Sequence, residues 1–194
     1  MRRDEALAAI LSAARAAGAA VFVGNGDVAR AAAAVGGHPL NFSMFGSMGL
    51  APPLAAGFAA ATGRPAVAVE GDGNLLMGLS GLPVTAAAVR TPFAHVVLDN
   101  GVYETTGGQP SLAGGVDLPA AALAAGYAAA ARPHTVDELR DAVAEGLRVP
   151  GPAFVLVRTL RAGGARYPRV PGHPRDIARR FMAAAGTDES TSTR

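Results

Sequence analysis

Two short apolar segments, 66–69 (AVAV) and 95–98 (HVVL), each run into a polar turn, and the residues between them carry a helical pattern. The first delivers Gly71-Asp72-Gly73 and the second Asp99-Asn100. A unit of this kind folds into a parallel sheet. The C-terminal ends of its two strands then lie side by side, at the edge where open α/β folds bind ligands. The Asp72 carboxylate and the Asn100 amide oxygen are hard ligands suited to Mg²⁺, an ion that keeps phosphate oxygens in its shell. Gly71 and Gly73 let the backbone turn sharply and approach a phosphate closely. Asn74 is placed to cap the following helix, whose N-terminal N–H groups favour an anion. The pattern looks like half of a metal–diphosphate clamp.

Strand and helix patterns alternate along the rest of the chain. An Ala-rich helix over 4–17 precedes a strand at 20–23, the turn Gly24-Asn25-Gly26 and a helix ending near Gly36-Gly37. A short strand around 40–44, the turn GSMG (46–49) and a helix over 50–61 follow. The motif strands enclose a helix over 75–89. Beyond a Gly-rich loop, 101–116, come a helix at 118–125, a weak strand at 127–131, a helix started by Thr135, and a closing strand at 153–157. This spacing predicts a doubly wound, mostly parallel α/β sheet of about six strands with helices on both faces. Residues 1–160 are expected to form the domain that carries the clamp. Residues 161–185 are read as an arm over the surface or onto a partner, and 186–194 as a disordered tail.

With 194 residues the chain is one ordinary domain. Arg, Gly or Asp interrupts every apolar run, so no stretch reads as a membrane span. The first residues (MRRDEALAAI) read as an amphipathic helix rather than a signal peptide, and a cytoplasmic location is expected. The net charge of +2 is slight, and the arginines are scattered until the arm, which gives nucleic-acid binding little support. There is no cysteine and no lysine; all 17 basic residues are arginine. That excludes disulfides, thiolate sites, a cysteine nucleophile, a P-loop lysine and a lysine Schiff base. The reaction chemistry must come from elsewhere. His38, His95, His134 and His173 are dispersed and are assigned structural roles.

NFSMFGSMGLA (41–51), the GDG segment and LDNGVYETTGGQP (98–110) together resemble the diphosphate-binding domain of thiamine diphosphate enzymes. They look most like the sulfopyruvate and phosphonopyruvate decarboxylases. The likeness spans about residues 20–160, and PGHPRDIARRF is similar to the tail of those enzymes. It implies that Asp72, the side-chain oxygen of Asn100 and the main-chain carbonyl of Val102 hold Mg²⁺. The backbone at Gly73 and Asn74 would hold the diphosphate, with further contacts from Asn25 and Gly26. Met48 matches the residue that wedges between the two thiamine rings, and the Gly46 carbonyl would accept from the aminopyrimidine amine. Ser47 and Tyr103 join them as cofactor contacts. Asn25 stands where a hydroxyl residue is more usual, and Asn74 where a serine is common. The implied activity is decarboxylation of a 2-oxo acid to CO₂ and an aldehyde, the cofactor acting as electron sink.

In that family an activating glutamate lies on a separate pyrimidine-binding domain, and no Glu here matches its motif. No catalytic side chain is therefore assigned to this chain. The resemblance implies the β-type subunit of a split decarboxylase that needs an α-type, pyrimidine-binding subunit. The expected assembly is α₂β₂ or larger, with the small-residue helix 50–61 packing across subunits. Thr105, Thr106 and Gln109 lie where a sulfonate or phosphonate substrate would be met. A dianion usually recruits arginine, which the partner or Arg30 would supply, and another 2-oxo acid fits as well. Two alternatives stand beside this reading. Gly24, Gly26 and Ala29 fit a dinucleotide fingerprint, although 42–50 (FSMFGSMGL) lacks its acidic ribose-binding residue. A non-catalytic thiamine diphosphate-binding or regulatory domain would carry the same clamp.

Overall fold

The computed structural model describes residues 1–161 and 167–186. Helix α1 (Arg3–Ala16) leads into β1 (Ala20–Val23), α2 (Asp27–Val35), β2 (Asn41–Ser43), α3 (Ala51–Thr62) and β3 (Ala66–Gly71). Two short helices, α4 (Asp72–Met77) and α5 (Gly81–Ala88), connect β3 to β4 (Pro92–Asp99). A small hairpin of β5 (Val102–Tyr103) and β6 (Gln109–Pro110) follows. The chain continues through α6 (Leu118–Ala124), β7 (Ala129–Ala131), α7 (Val136–Gly146), β8 (Gly151–Arg158) and α8 (Pro174–Ala185). Six strands form one parallel sheet in the order β2-β1-β3-β4-β8-β7, the doubly wound arrangement expected.

The strand residues explain why both faces are covered. Val21, Val23, Val67, Val69, Val96 and Val155 pack on one face with α1, α2 and α7. On the other, Phe22, Ala68 and Phe93 meet α3 and α8, while Val97, Phe154 and Leu156 meet α5 and α6. Strands buried on two faces read as unbroken apolar runs, which is why β3 and β4 stood out in the sequence. Among the described residues no helix is long and apolar enough to cross a membrane.

The helix expected over 75–89 begins earlier and is interrupted. Gly71, with extended backbone, already serves as the N-cap, so the helix starts at Asp72 and the acidic side chain sits in its first turn, where the helix dipole favours it. Asn74 lies inside the helix and does not cap it. At the break, 78–80, the GSMG turn packs on the helix backbone: a Cβ on Gly49 would fall 2.6 Å from the Gly78 nitrogen. The turn is seated directly on the helix backbone.

Residues 174–185 of the arm form α8, which docks on the chain's own sheet. The Phe181 ring lies 5.1 Å from Phe22, 5.5 Å from Phe42 and 5.4 Å from Phe58. Such edge-on pairs add about 0.5–1.5 kcal/mol each beyond area burial. Ile177, Phe181 and Ala185 recur every four residues and are all buried, a helical stripe that the Arg- and Pro-rich composition masked. Of the tail expected to be disordered, 187–194 lie outside the described residues.

A polar chain crosses the core beneath α5 and α6. His95 offers Nε2 to Glu70 Oε1 at 3.0 Å and Nδ1 to the Tyr127 hydroxyl at 2.9 Å, and Glu70 and His95 are fully buried. Burial, reinforced by the Glu70 charge, pushes the Tyr127 hydroxyl above its ordinary value of 10.0. A folded-state pKa raised in this way contributes stability that is intact below the unfolded value and is lost as pH rises past it. The wild-type unfolding free energy is therefore expected to fall above about pH 10, with an extra slope approaching about 1.4 kcal/mol per pH unit relative to Tyr127→Phe. At neutral pH the variant should be about 1 kcal/mol less stable. Urea denaturation of both proteins between pH 8 and 11 checks this; parallel curves would contradict it.

Candidate metal and diphosphate site

The chain leaves β1 for β2 on one side and returns to β3 on the other, which makes the β1/β3 boundary a topological switch point. The loops that leave these two strands meet there. Asn74 Nδ2 donates to Asn25 Oδ1 at 2.9 Å. Gly24 permits that approach, since a Cβ on it would lie 2.9 Å from Asn74 Nδ2 and 3.1 Å from Glu70 Cβ. The β3–β4 register sets Gly71 opposite Leu98, so Asp72 and Asn100 emerge at the same edge.

One cleft gathers most of the residues expected from sequence. Asn25 and Gly26 enter after β1, Met48 from the GSMG turn, Asp72 to Asn74 from the start of α4, and Asn100, Val102, Tyr103 and Thr105 after β4. Four residues do not line it. Gly46 and Ser47 are exposed on the turn below Met48. Thr106 and Gln109 face each other across the hairpin, with Thr106 Oγ1 donating to Gln109 Oε1 at 3.3 Å, and are also exposed.

The side chains in the cleft are held. Asp72 is 2% exposed, and its Oδ2 accepts from the Ser111 hydroxyl. Asn100 donates through Nδ2 to Glu104 Oε2 at 2.9 Å and accepts the Val102 N–H at 3.1 Å, which fixes the orientation of its amide. Glu104 Oε2 also accepts from Arg3 Nη2. Arg3 reaches the cleft because α1 runs antiparallel to β1, so its first turn lies at the carboxyl edge of the sheet. The side chain is 6% exposed, with Nη1 4.0 Å from Asp27 and without a hydrogen-bond partner. Beside the cleft, burial and then the negative charge of Asp72 raise the Asp99 carboxyl above the usual carboxylate range, against the pull of Arg158 at 3.0 Å.

These features define what fits. The described lining residues bring three carboxylates, Asp27, Asp72 and Glu104, against the one guanidinium of Arg3. A bare diphosphate would be repelled, and a divalent cation would be attracted. Among the described residues no three His, Asp or Glu side chains group to cage a metal. A cation here would complete its shell with the amide oxygen, a main-chain carbonyl and oxygens of an anionic ligand, the environment that suits Mg²⁺. Arg3, tied to Glu104 and Asp27, offsets part of the cleft's negative charge. At Gly71 a Cβ would meet nothing nearer than 3.9 Å, which leaves open room on the cleft wall. Gly73 is different: a Cβ there would lie 2.8 Å from Tyr103 Cδ1, so the tyrosine ring packs directly against its backbone.

A family model described as the thiamine pyrophosphate enzyme, C-terminal TPP binding domain, matches residues 23–157, well over half the chain. The chain belongs to this family. It is 42% identical over 149 residues to a phosphonopyruvate decarboxylase of Streptomyces viridochromogenes, covering 76% of this chain and 37% of that one. It is 35% identical over 144 residues to the sulfopyruvate decarboxylase subunit beta of Methanothermobacter thermautotrophicus, covering 74% and 75% of the two chains. Benzoylformate decarboxylase from Polynucleobacter necessarius shares the fold, with a TM-score of 0.69 at 21% identity over 82% of this chain and 33% of that one. The chain thus spans only 37–42% of the length of the two phosphonopyruvate decarboxylases it matches.

Arg3, Asp27, Glu104 and Ser111 escaped the sequence reading. Glu104 and Ser111 flank residues that were recognised, and their acidic and hydroxyl chemistry was the available signal. Arg3 had none, because only the antiparallel return of α1 brings position 3 to residues around 100.

Proposed function

We propose that this chain is the metal- and diphosphate-binding half of a thiamine diphosphate-dependent decarboxylase acting on a short 2-oxo acid with a phosphonate or sulfonate tail. The observation that carries this reading is the acid-rich cleft at the β1/β3 switch point, into which Asp72, the oriented Asn100 and Val102 converge. Asp72, Asn100 Oδ1 and the Val102 carbonyl would hold Mg²⁺. The backbone at Gly73 and Asn74, with Asn25 and Gly26, would hold the diphosphate. Bound thiamine diphosphate supplies the electron sink that a chain without lysine or cysteine does not possess. The chain's own residues position and shield. Glu104 accepts from the Asn100 amide nitrogen, as outer partners of metal ligands do, and the amide oxygen, which takes the Val102 N–H, keeps a second lone pair for the ion. Met48 projects into the cleft and shapes the space for the cofactor, and the Tyr103 ring packed over Gly73 keeps water from the diphosphate side.

The activating glutamate and the pyrimidine-binding half come, in this reading, from an α-type subunit in the cytoplasm, in an α₂β₂ or larger assembly. Two observations support a partner. Relatives matched here carry the name subunit beta. The rim of the cleft also exposes Phe45, Leu50, Leu54, Met77 and Leu79 to between 37% and 65%. The contact of Gly49 with Gly78 brings the turn and α3 beside α4, so these side chains cluster, and exposed apolar clusters mark protein contacts. The chain alone, with thiamine diphosphate and Mg²⁺, is expected to release no CO₂. Mixed with the α-type subunit it should convert phosphonopyruvate or sulfopyruvate to CO₂ and an aldehyde. Sustained turnover by the purified single chain would overturn the split, and a complex inert toward both acids would overturn the substrate class.

A further inference from the structure

Beside the cofactor cleft lies a second cavity of about 500 Å³, and the two share Asn25, Gly26 and Thr105 in their walls. Their charges are opposite in sign. The cleft carries three carboxylates against Arg3, whereas the second cavity is lined by Arg30 of α2 and Arg169 of the segment leading to α8, with no carboxylate among its described lining residues. Arg30 keeps Asp27 at 3.6 Å, so Arg169 leaves the cavity net positive. Met44, Phe45 and Val170 give it an apolar wall. Guanidinium groups fork onto the oxygens of such anions.

We propose that this cavity holds the anionic tail of the substrate, a phosphonate or sulfonate, between Arg30 and Arg169, while the 2-oxo acid end lies across Thr105 in the cleft. The proposal rests on the decarboxylase reading above. A three-carbon substrate separates its two ends by only a few bonds, so the compartments that receive them must adjoin, and the shared wall at Asn25, Gly26 and Thr105 meets that demand. Neither Thr106 nor Gln109, the tail contacts expected from sequence, lines either cavity. Plain pyruvate would leave Arg169 without a counter-charge, which makes the cavity a device for specificity.

The test uses the complex with the α-type subunit and the variants Arg169→Gln and Arg30→Gln. The preference for phosphonopyruvate or sulfopyruvate over pyruvate, as a ratio of kcat/KM values, should fall about 10- to 100-fold in each. Phosphonoacetate, which has the tail but no 2-oxo group, should bind the wild type in a calorimetric titration and bind the variants at least about 10-fold more weakly. Thiamine diphosphate should retain its affinity throughout. Variants that keep both the preference and the phosphonoacetate affinity would overturn the subsite and leave the decarboxylase reading standing. Loss of thiamine diphosphate affinity in the variants would assign these arginines to the cofactor and overturn the proposal. A wild-type complex that binds the cofactor but turns over none of the three acids would overturn the decarboxylase reading itself.

Discussion

Asp72→Asn is expected to abolish the stabilisation that Mg²⁺ and thiamine diphosphate give this protein. The effect follows from the cleft's charge. Asp72 is the buried carboxylate at the convergence of the two motif strands, and an amide in its place removes the full negative charge that attracts the ion. A ligand at about 100 times its dissociation constant stabilises by about 2.7 kcal/mol, or about 5–10 °C for a chain of this size. That shift should vanish. Thermal melts of both proteins with and without ligands are decisive. A ligand-induced shift that survives in the variant would remove Asp72 from the site.

Gly49→Ala should be among the most destabilising single-methyl additions in the chain. Gly49 has φ of +83°, a left-handed conformation that costs an L residue about 1–2 kcal/mol. Its new Cβ would also lie 2.6 Å from the Gly78 nitrogen, 2.7 Å from Gly78 Cα and 2.8 Å from the Asn74 carbonyl oxygen. These are backbone atoms, and they cannot rotate away. Overpacking of this sort adds about 1–3 kcal/mol, so the melting temperature should fall by about 10 °C. The consequence reaches the cleft, because the displaced turn carries Met48 and the displaced helix carries Asp72 to Asn74. Gly78→Ala should reproduce much of the effect from the other side of the contact, and the double variant should cost less than the sum of the two. A Gly49→Ala protein that melts with the wild type would show that the turn is not seated on the helix.

The strands and their turns were legible in the sequence because each buried parallel strand is an apolar run ending in a polar loop. That reading placed Asp72 and Asn100 at one sheet edge, where the β3–β4 register sets them. The helix break at 78–80 was not legible, since Gly78 reads as one more small residue in an apolar stretch. The turn that packs against it, at Gly49, is distant in the chain. Phe181 was overlooked for a related reason: its partners Phe22, Phe42 and Phe58 come from three separate elements, and the surrounding arginines suggested a solvated arm. Arg3 and Glu104 form a pair that only the closed fold brings together. The packing of the Tyr103 ring on Gly73 was also hidden, because the position of Tyr103 could not be inferred from spacing.

The central claim is that a metal ion must bridge this acidic cleft to a diphosphate. Calorimetric titration of the wild-type chain with thiamine diphosphate, in Mg²⁺ and again in EDTA, with and without the α-type subunit, tests it most directly. Binding that appears only with Mg²⁺ and strengthens with the subunit is the predicted result. Equal binding in EDTA, or none under any condition, would contradict it.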